Sequence, residues 1–270
     1  MAHLLRLLKA KERPLPTRGL GDKCGWETEN VKGPRLEQDF CCEADGEASG
    51  SSTTLEAALN LRIVGSEDNE LRILEDSQGI WANGNGATIW DSALLLADFL
   101  RHQPALGRLP GSGLRALELG AGLGLVGLTL AKLGAQVVAT ERALALPLLR
   151  RNVAENSLDD AVRVEELFWG SKHMPTWVYD SAPCDIVVGS DLIWPGNADC
   201  IVDLVETLSV VVGPATSCWL AYEPRASATD EALLASLRAA HFRVRRLQGQ
   251  ELPADAPEDL WILHLEAEPK

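Results

Sequence analysis

The residues best suited to chemistry lie in one short stretch. Leu117-Glu118-Leu119-Gly120-Ala121-Gly122-Leu123-Gly124-Leu125-Val126-Gly127 carries three glycines at alternate positions behind a carboxylate, Glu118. Glycines spaced this way let a backbone turn sharply and approach a ligand closely. A helix opening behind them would present free N–H groups and positive potential. Gly122-Leu-Gly124-Leu-Val-Gly127 also fits the dinucleotide spacing G-x-G-x-x-G, a weak motif by itself. Two features favour S-adenosylmethionine instead. Glu118 sits two residues before the first glycine, where a carboxylate could meet a cationic methionine amine. The glycines also begin as G-x-G-x-G at the strand end, and the dinucleotide spacing fits only two residues later. Glu141 follows about 20 positions on, where an acidic residue accepts hydrogen bonds from ribose hydroxyls. Either nucleoside cofactor uses such a residue.

These side chains need strands to carry them. Arg115 to Leu119 reads as a short apolar strand, and Leu123 to Leu133 as a helix stopped by Gly134. Further strands are expected at Gln136–Thr140, Val162–Glu165, Asp185–Gly189, Ser217–Tyr222, Phe242–Leu247 and Trp261–Leu265. Helices are expected at Leu144–Asn156, Ala198–Val211 and Thr229–Ala240. Asp91 to Arg101 is apolar at helical spacing, with Asp91 or Ser92 as its cap. The alternation implies an α/β fold: a doubly wound, mostly parallel seven-stranded Rossmann-like sheet. Its last two strands have no helix between them, which predicts an antiparallel hairpin at the sheet edge. Leu59, Leu61 and Ile63, then Leu71 and Ile73, alternate around a polar turn and predict an N-terminal β-hairpin. Residues 1–54, rich in Gly, Ser, Pro and charge, read as a tail or linker, and residues 55–270 as the folded domain.

Composition narrows the partners. The chain has 270 residues, 46% of them hydrophobic, and a net charge of −14. Such acidity suits basic protein surfaces and argues against general nucleic-acid binding, which needs clustered Lys and Arg. The six cysteines include no Cys-x-x-Cys pair, and no His pair has metal spacing, so no metal site is expected. The unpatterned cysteines read as reduced thiols in an intracellular protein. No apolar run reaches the ~18 residues a membrane span needs. Residues 1–18 are basic and leucine-rich, as in a transit peptide or a solvated tail. The cytoplasm is the expected location, with the nucleus or an organelle as alternatives.

Four stretches together resemble one family. Gly86-Ala-Thr-Ile-Trp90-Asp91-Ser92-Ala93 resembles its G-x-x-x-W-D-S-A lead into the first helix. Ala116 to Gly127 resembles its L-E-L-G-A-G-x-G-L-V-G loop. Leu146-Pro147-Leu-Leu-Arg-Arg151-Asn152-Val-Ala-Glu-Asn156 resembles the helix after the acidic residue, and Phe168-Trp169-Gly170 its L-x-W-G segment. The family is the methyltransferase-like family 16 branch of the seven-strand S-adenosylmethionine-dependent methyltransferases, many of which methylate protein lysines. The resemblance implies that Gly120, Ala121, Gly122 and Gly124 cradle the cofactor and that Glu118 and Glu141 hold its ends. It implies that Trp90 lines the pocket, Trp169 packs on the adenine and Ser190 touches the cofactor. It further implies a monomer acting on a protein substrate.

The family's lysine-methylating members carry D-x-x-Y or D-x-x-F after the fourth strand, where this chain has Asp191-Leu192-Ile193-Trp194. A Trp face can hold an ammonium by cation–π attraction but supplies no phenolic hydroxyl. Asp191 and Trp194 are the expected catalytic pair, Asp191 orienting the acceptor amine or passing on its proton. Ala221-Tyr222-Glu223-Pro224-Arg225 resembles the family's Y-E-x-R. Glu223 there either helps to form the acceptor site or simply pairs with Arg225. The alternatives are another acceptor (a histidine, an arginine or a small molecule), a non-catalytic cofactor-binding module, and a nicotinamide oxidoreductase.

Overall fold

The computed structural model describes residues 59–65, 69–76, 87–103, 113–172 and 174–268. The expected tail over 1–54 lies outside them, as do Gly86 and most of the polar turn of the hairpin. Two sheets form. The smaller pairs β1 (Asn60–Val64) with β2 (Leu71–Glu75). The larger contains β3 (Arg115–Leu119), β4 (Gln136–Glu141), β5 (Val162–Glu166), β6 (Ile186–Ser190), β7 (Ser217–Tyr222), β8 (Phe242–Arg246) and β9 (Trp261–Ala267). Its order is β5-β4-β3-β6-β7-β9-β8. The first five strands run parallel, and β9 runs antiparallel to both of its neighbours. The expected edge hairpin is therefore present, but β9 returns inside β8, so β8 is the edge on that side.

The helices are α1 (Asp91–Arg101), α2 (Leu125–Lys132), α3 (Leu146–Glu155), α4 (Thr176–Ser181), α5 (Ile201–Val211) and α6 (Ser227–Ala239). Trp90, and neither Asp91 nor Ser92, stands at the N-cap of α1; Asp91 lies in the first turn, where its negative charge complements the positive end of the helix dipole. Pro147 sits at the start of α3, where its missing N–H costs nothing. Each face of the large sheet has its own apolar core. Ala116, Val137 and Val188 pack with Leu96, Leu128 and Leu148 of α1 to α3. Leu117, Leu119 and Val187 pack with Leu204, Leu208 and Leu237 of α5 and α6. Burial on both faces explains why β4 and β6 read as apolar runs.

The hairpin departs from its sequence pattern in one respect. Leu61 and Ile63 are exposed, while Val64 is buried. The register sets Val64 against Leu71 and Arg62 against Ile73. Leu71 and Ile73 are fully buried, so the face of β1 that opposes them turns inward and the Leu61 face turns out. Two asparagines one helical turn apart hold β2 to α3. Asn152 accepts the Leu74 N–H and donates to the Leu74 carbonyl, and Asn156 does the same for Arg72. Asn152 also donates to the Leu123 carbonyl at 3.0 Å, tying the glycine loop to the same helix. Cys184 and Cys218 are free and buried.

Candidate functional site

From β3 the sheet is built in two directions, through β4 and β5 on one side and β6 and β7 on the other. Loops leaving neighbouring strands part at such a switch point and open a crevice at their carboxyl ends. The glycine loop leaves β3 there, and the Ser190-Asp191 corner leaves β6. Gly120 stands where three segments meet. Its φ is +58°, and a Cβ on it would lie 2.8 Å from Leu192 Cδ2 and 3.5 Å from Trp169 Cζ2. A side chain there would close the gap between the loop and those two residues. Leu192 was not expected from the sequence; being apolar, it showed no chemical signal. Gly124 instead packs closely on α3, where a Cβ would lie 2.5 Å from Leu149 Cδ1.

Glu141 ends β4 with its carboxylate turned to the loop. The Gly122 N–H donates to Oε2 at 2.9 Å and the Arg142 N–H to Oε1 at 2.7 Å. Each oxygen keeps a lone pair for a further donor. Burial pushes this carboxyl above its ordinary range, and the two N–H bonds oppose that rise.

Glu118 precedes the glycine loop by two residues. Strand alternation puts it with Ala116 on the α2 face, fully buried, where Oε2 accepts the Gly127 N–H at 3.0 Å. Burial pushes its carboxyl up to about 8, against the pull of the Gly127 N–H, and the neighbouring Glu141 charge raises it further. Near neutral pH it is therefore a protonated brace under the helix. An unfolded glutamate releases its proton near 4.5, so between about 4.5 and about 8 the folded state keeps a proton that the unfolded chain has lost. Stability contributed by this group falls as pH rises through that window, by at most ~1.4 kcal/mol per unit. Glu118→Gln should remove that slope. Urea unfolding of both proteins at pH 6 and pH 8 checks it, and equal slopes would refute the assignment.

Gly127 completes the contact. A Cβ on it would lie 2.3 Å from Glu118 Oε2 and 3.3 Å from Val137 Cγ1. Gly127→Ala must displace a buried carboxyl, and a loss of ~1–3 kcal/mol is expected for such overpacking. A thermal melt within 1 °C of the parent would contradict it.

At the far side of the crevice Asp191 adopts φ +53°, a left-handed corner that Asp tolerates better than most residues. Its N–H donates to the Ala221 carbonyl at 2.9 Å, which sets it beside the end of β7. Its Oδ1 and Oδ2 accept from the two Arg225 Nη groups at 2.7 and 2.5 Å. Arg225 Nη2 also reaches Glu223 Oε2 at 2.5 Å. The guanidinium lies 5.8 Å from the ring centre of the exposed Trp90. Asp191, Arg225, Glu223 and Trp90 thus form one cluster. Trp194 lies with its indole over the Gly196 turn, where a Cβ would stand 2.7 Å from Nε1. Buried Asn197 holds that turn by accepting the Trp194 N–H and donating to the Leu192 carbonyl. Nothing in the sequence marked Asn197 beyond its place after Pro195-Gly196.

A separate cavity of about 370 Å³ opens at the opposite end of the sheet, lined by Arg115, Gln136, Asp160, Arg163, Trp177 and Ser181. It adjoins the amino ends of β3 to β5, away from the glycine loop.

The sequence model of a family described as lysine methyltransferase matches residues 66–239. Protein N-lysine methyltransferase METTL21A of Danio rerio is 32% identical over 202 residues, covering 72% of this chain and 82% of that protein. METTL21A of Mus musculus is 37% identical over 128 residues, 46% of this chain and 55% of that protein. EEF1A lysine methyltransferase 3 of Xenopus tropicalis is 34% identical over 160 residues, 58% of this chain and 65% of that protein. The chain thus spans most of the first relative's length and less than two thirds of the other two. The match runs from the hairpin turn through the glycine loop to the last helix, so the chain belongs to the lysine methyltransferase family of S-adenosylmethionine-dependent enzymes.

Proposed function

We propose that the chain transfers the methyl group of S-adenosylmethionine to a lysine side chain of a protein. The observation that carries this reading is the cluster at the mouth of the crevice, where two carboxylates converge on a cation beside an indole. Two carboxylates and one guanidinium leave one negative charge over, which suits one more cation. The relatives' names point the same way.

The cofactor end fits the group. Gly120, Ala121, Gly122 and Gly124 would cradle it, Glu141 would take the ribose hydroxyls, and Trp169 and Ser190 would flank the adenosine. Trp90 would line the mouth. When bound, S-adenosylmethionine supplies a methyl already activated on a sulfonium. The residues around it then need mainly to hold the acceptor in line. A lysine must have lost its proton by the time it attacks, and free lysine holds it to about pH 10.4. An apolar wall such as Leu192 would disfavour the charged amine, and Trp194 and Asp191 would border its path.

We place the catalytic domain at residues 55–270, acting as a monomer on protein, not on nucleic acid, in the cytoplasm. The net charge of −14 supports the choice of a basic protein partner. No helix among the described residues is long and apolar enough to cross a membrane.

The test is a cell extract incubated with the full chain and tritium-labelled S-adenosylmethionine, followed by acid hydrolysis and amino-acid analysis. Label on methyl-lysine is expected. Label on histidine, arginine or a small molecule would replace the acceptor. Cofactor binding without any labelled product would favour the binding module instead.

A further inference from the structure

We infer that Glu223, rather than Asp191, is the carboxylate that meets the acceptor ammonium, and that Asp191 acts on it only through Arg225. The inference rests on the lysine reading above. Asp191, Arg225 and Glu223 form a row from inside to outside. Their side chains are 7%, 26% and 40% exposed respectively. Both Asp191 oxygens are engaged by the guanidinium, which covers them from solvent. A cation arriving from solvent reaches Glu223 first. Glu223 gives Oε2 to Arg225, and a carboxylate has lone pairs left for a second cation.

The local fold explains the row. Tyr222, the last residue of β7, points inward, and its hydroxyl hydrogen-bonds to Asp230 of α6. Strand alternation then sends Glu223 the other way, toward the crevice. Arg225 follows Pro224 and turns back onto the Asp191 corner. Its charge is held most firmly by the Asp191 bonds, which raise its pKa further. A fork anchored at two points on Asp191 leaves little freedom in how the third contact presents Glu223. The exposed Trp90 ring, 5.8 Å from the same guanidinium, adds an aromatic wall on which an ammonium can rest. Glu223 is thus the substrate-binding carboxylate, and Arg225 and Asp191 are positioning residues.

The experiment uses the full chain, labelled S-adenosylmethionine and a titrated cell-extract fraction as acceptor. Rates are fitted to half-saturation and plateau for Glu223→Gln, Arg225→Lys, Arg225→Ala, and Asp191→Asn alone and on Arg225→Ala. Glu223→Gln should raise acceptor half-saturation at least tenfold while cofactor affinity by calorimetry stays within threefold. Asp191→Asn should have less than a twofold further effect once Arg225 is alanine. Arg225→Lys should recover part of the alanine loss, because one ammonium can bridge the two carboxylates without the fork. Unchanged half-saturation in Glu223→Gln, or a tenfold further loss from Asp191→Asn on the alanine background, would overturn the inference. A variant with lowered melting temperature is compared at 15 °C, where the same ratios decide. Wild-type chain that labels a residue other than lysine would sink the parent reading, and the inference with it, before any variant is compared.

Discussion

Glu141→Ala is expected to weaken S-adenosylmethionine binding by about two orders of magnitude. A charge-assisted hydrogen bond is worth ~1.5–3 kcal/mol, and each 1.4 kcal/mol is tenfold in affinity. Two ribose hydroxyls on one carboxylate would exceed a hundredfold if all of it were lost, and water entering the truncated site recovers part. The substitution also frees the Gly122 and Arg142 N–H groups that the carboxylate now accepts, so the loop loses an anchor as well. Glu141→Gln separates the two effects. The amide keeps one acceptor oxygen for the Gly122 N–H but loses the charge and one acceptor, so an intermediate affinity is expected. Calorimetry with S-adenosylmethionine and S-adenosylhomocysteine measures both variants. Affinity within threefold of wild type in Glu141→Ala would remove this residue from the cofactor seat.

Asp191→Asn should lower methyl transfer by about a hundredfold with cofactor affinity nearly unchanged. Asparagine is the clean substitution, because it tolerates the left-handed φ of +53° that alanine would resist. The charge is lost, and the Arg225 fork loses the partner that fixes it. A displacement of about 1 Å in a reacting group can cost 10²-fold, which is the size expected when Glu223 is no longer held in place. The proposed cofactor seat would be spared, because it is built from the glycine loop and Glu141, which meet through the Gly122 N–H and not through Asp191. Turnover within threefold of wild type would show that this corner has no part in the reaction.

How far the sequence alone reached can be judged from particular residues. Arg115–Leu119 and Ser217–Tyr222 were bounded correctly because each is a short apolar run between turns, and local pattern suffices for that. Helix α4, Thr176–Ser181, was not expected; six residues carry too little periodicity. The roles of Leu192 and Asn197 were also missed, since an apolar side chain and a turn asparagine resemble many others until their neighbours are known. Glu118 stood out by its position two residues before the glycines, but its bond to the Gly127 N–H under α2 could not be read from that spacing.

The sequence by itself determined the class of fold, the glycine loop behind β3 and the family, because these are written in spacing within one or two adjacent elements. The tertiary structure alone decided which face of β1 turns inward, that β9 returns between β7 and β8, and that Asp191 spends both oxygens on Arg225. The last two bring residues tens of positions apart within a few ångströms, and the first follows from β2 being pinned to α3 by Asn152. Partners at such separations leave no periodic trace in one chain, so their pairing becomes visible only when the sheet has assembled.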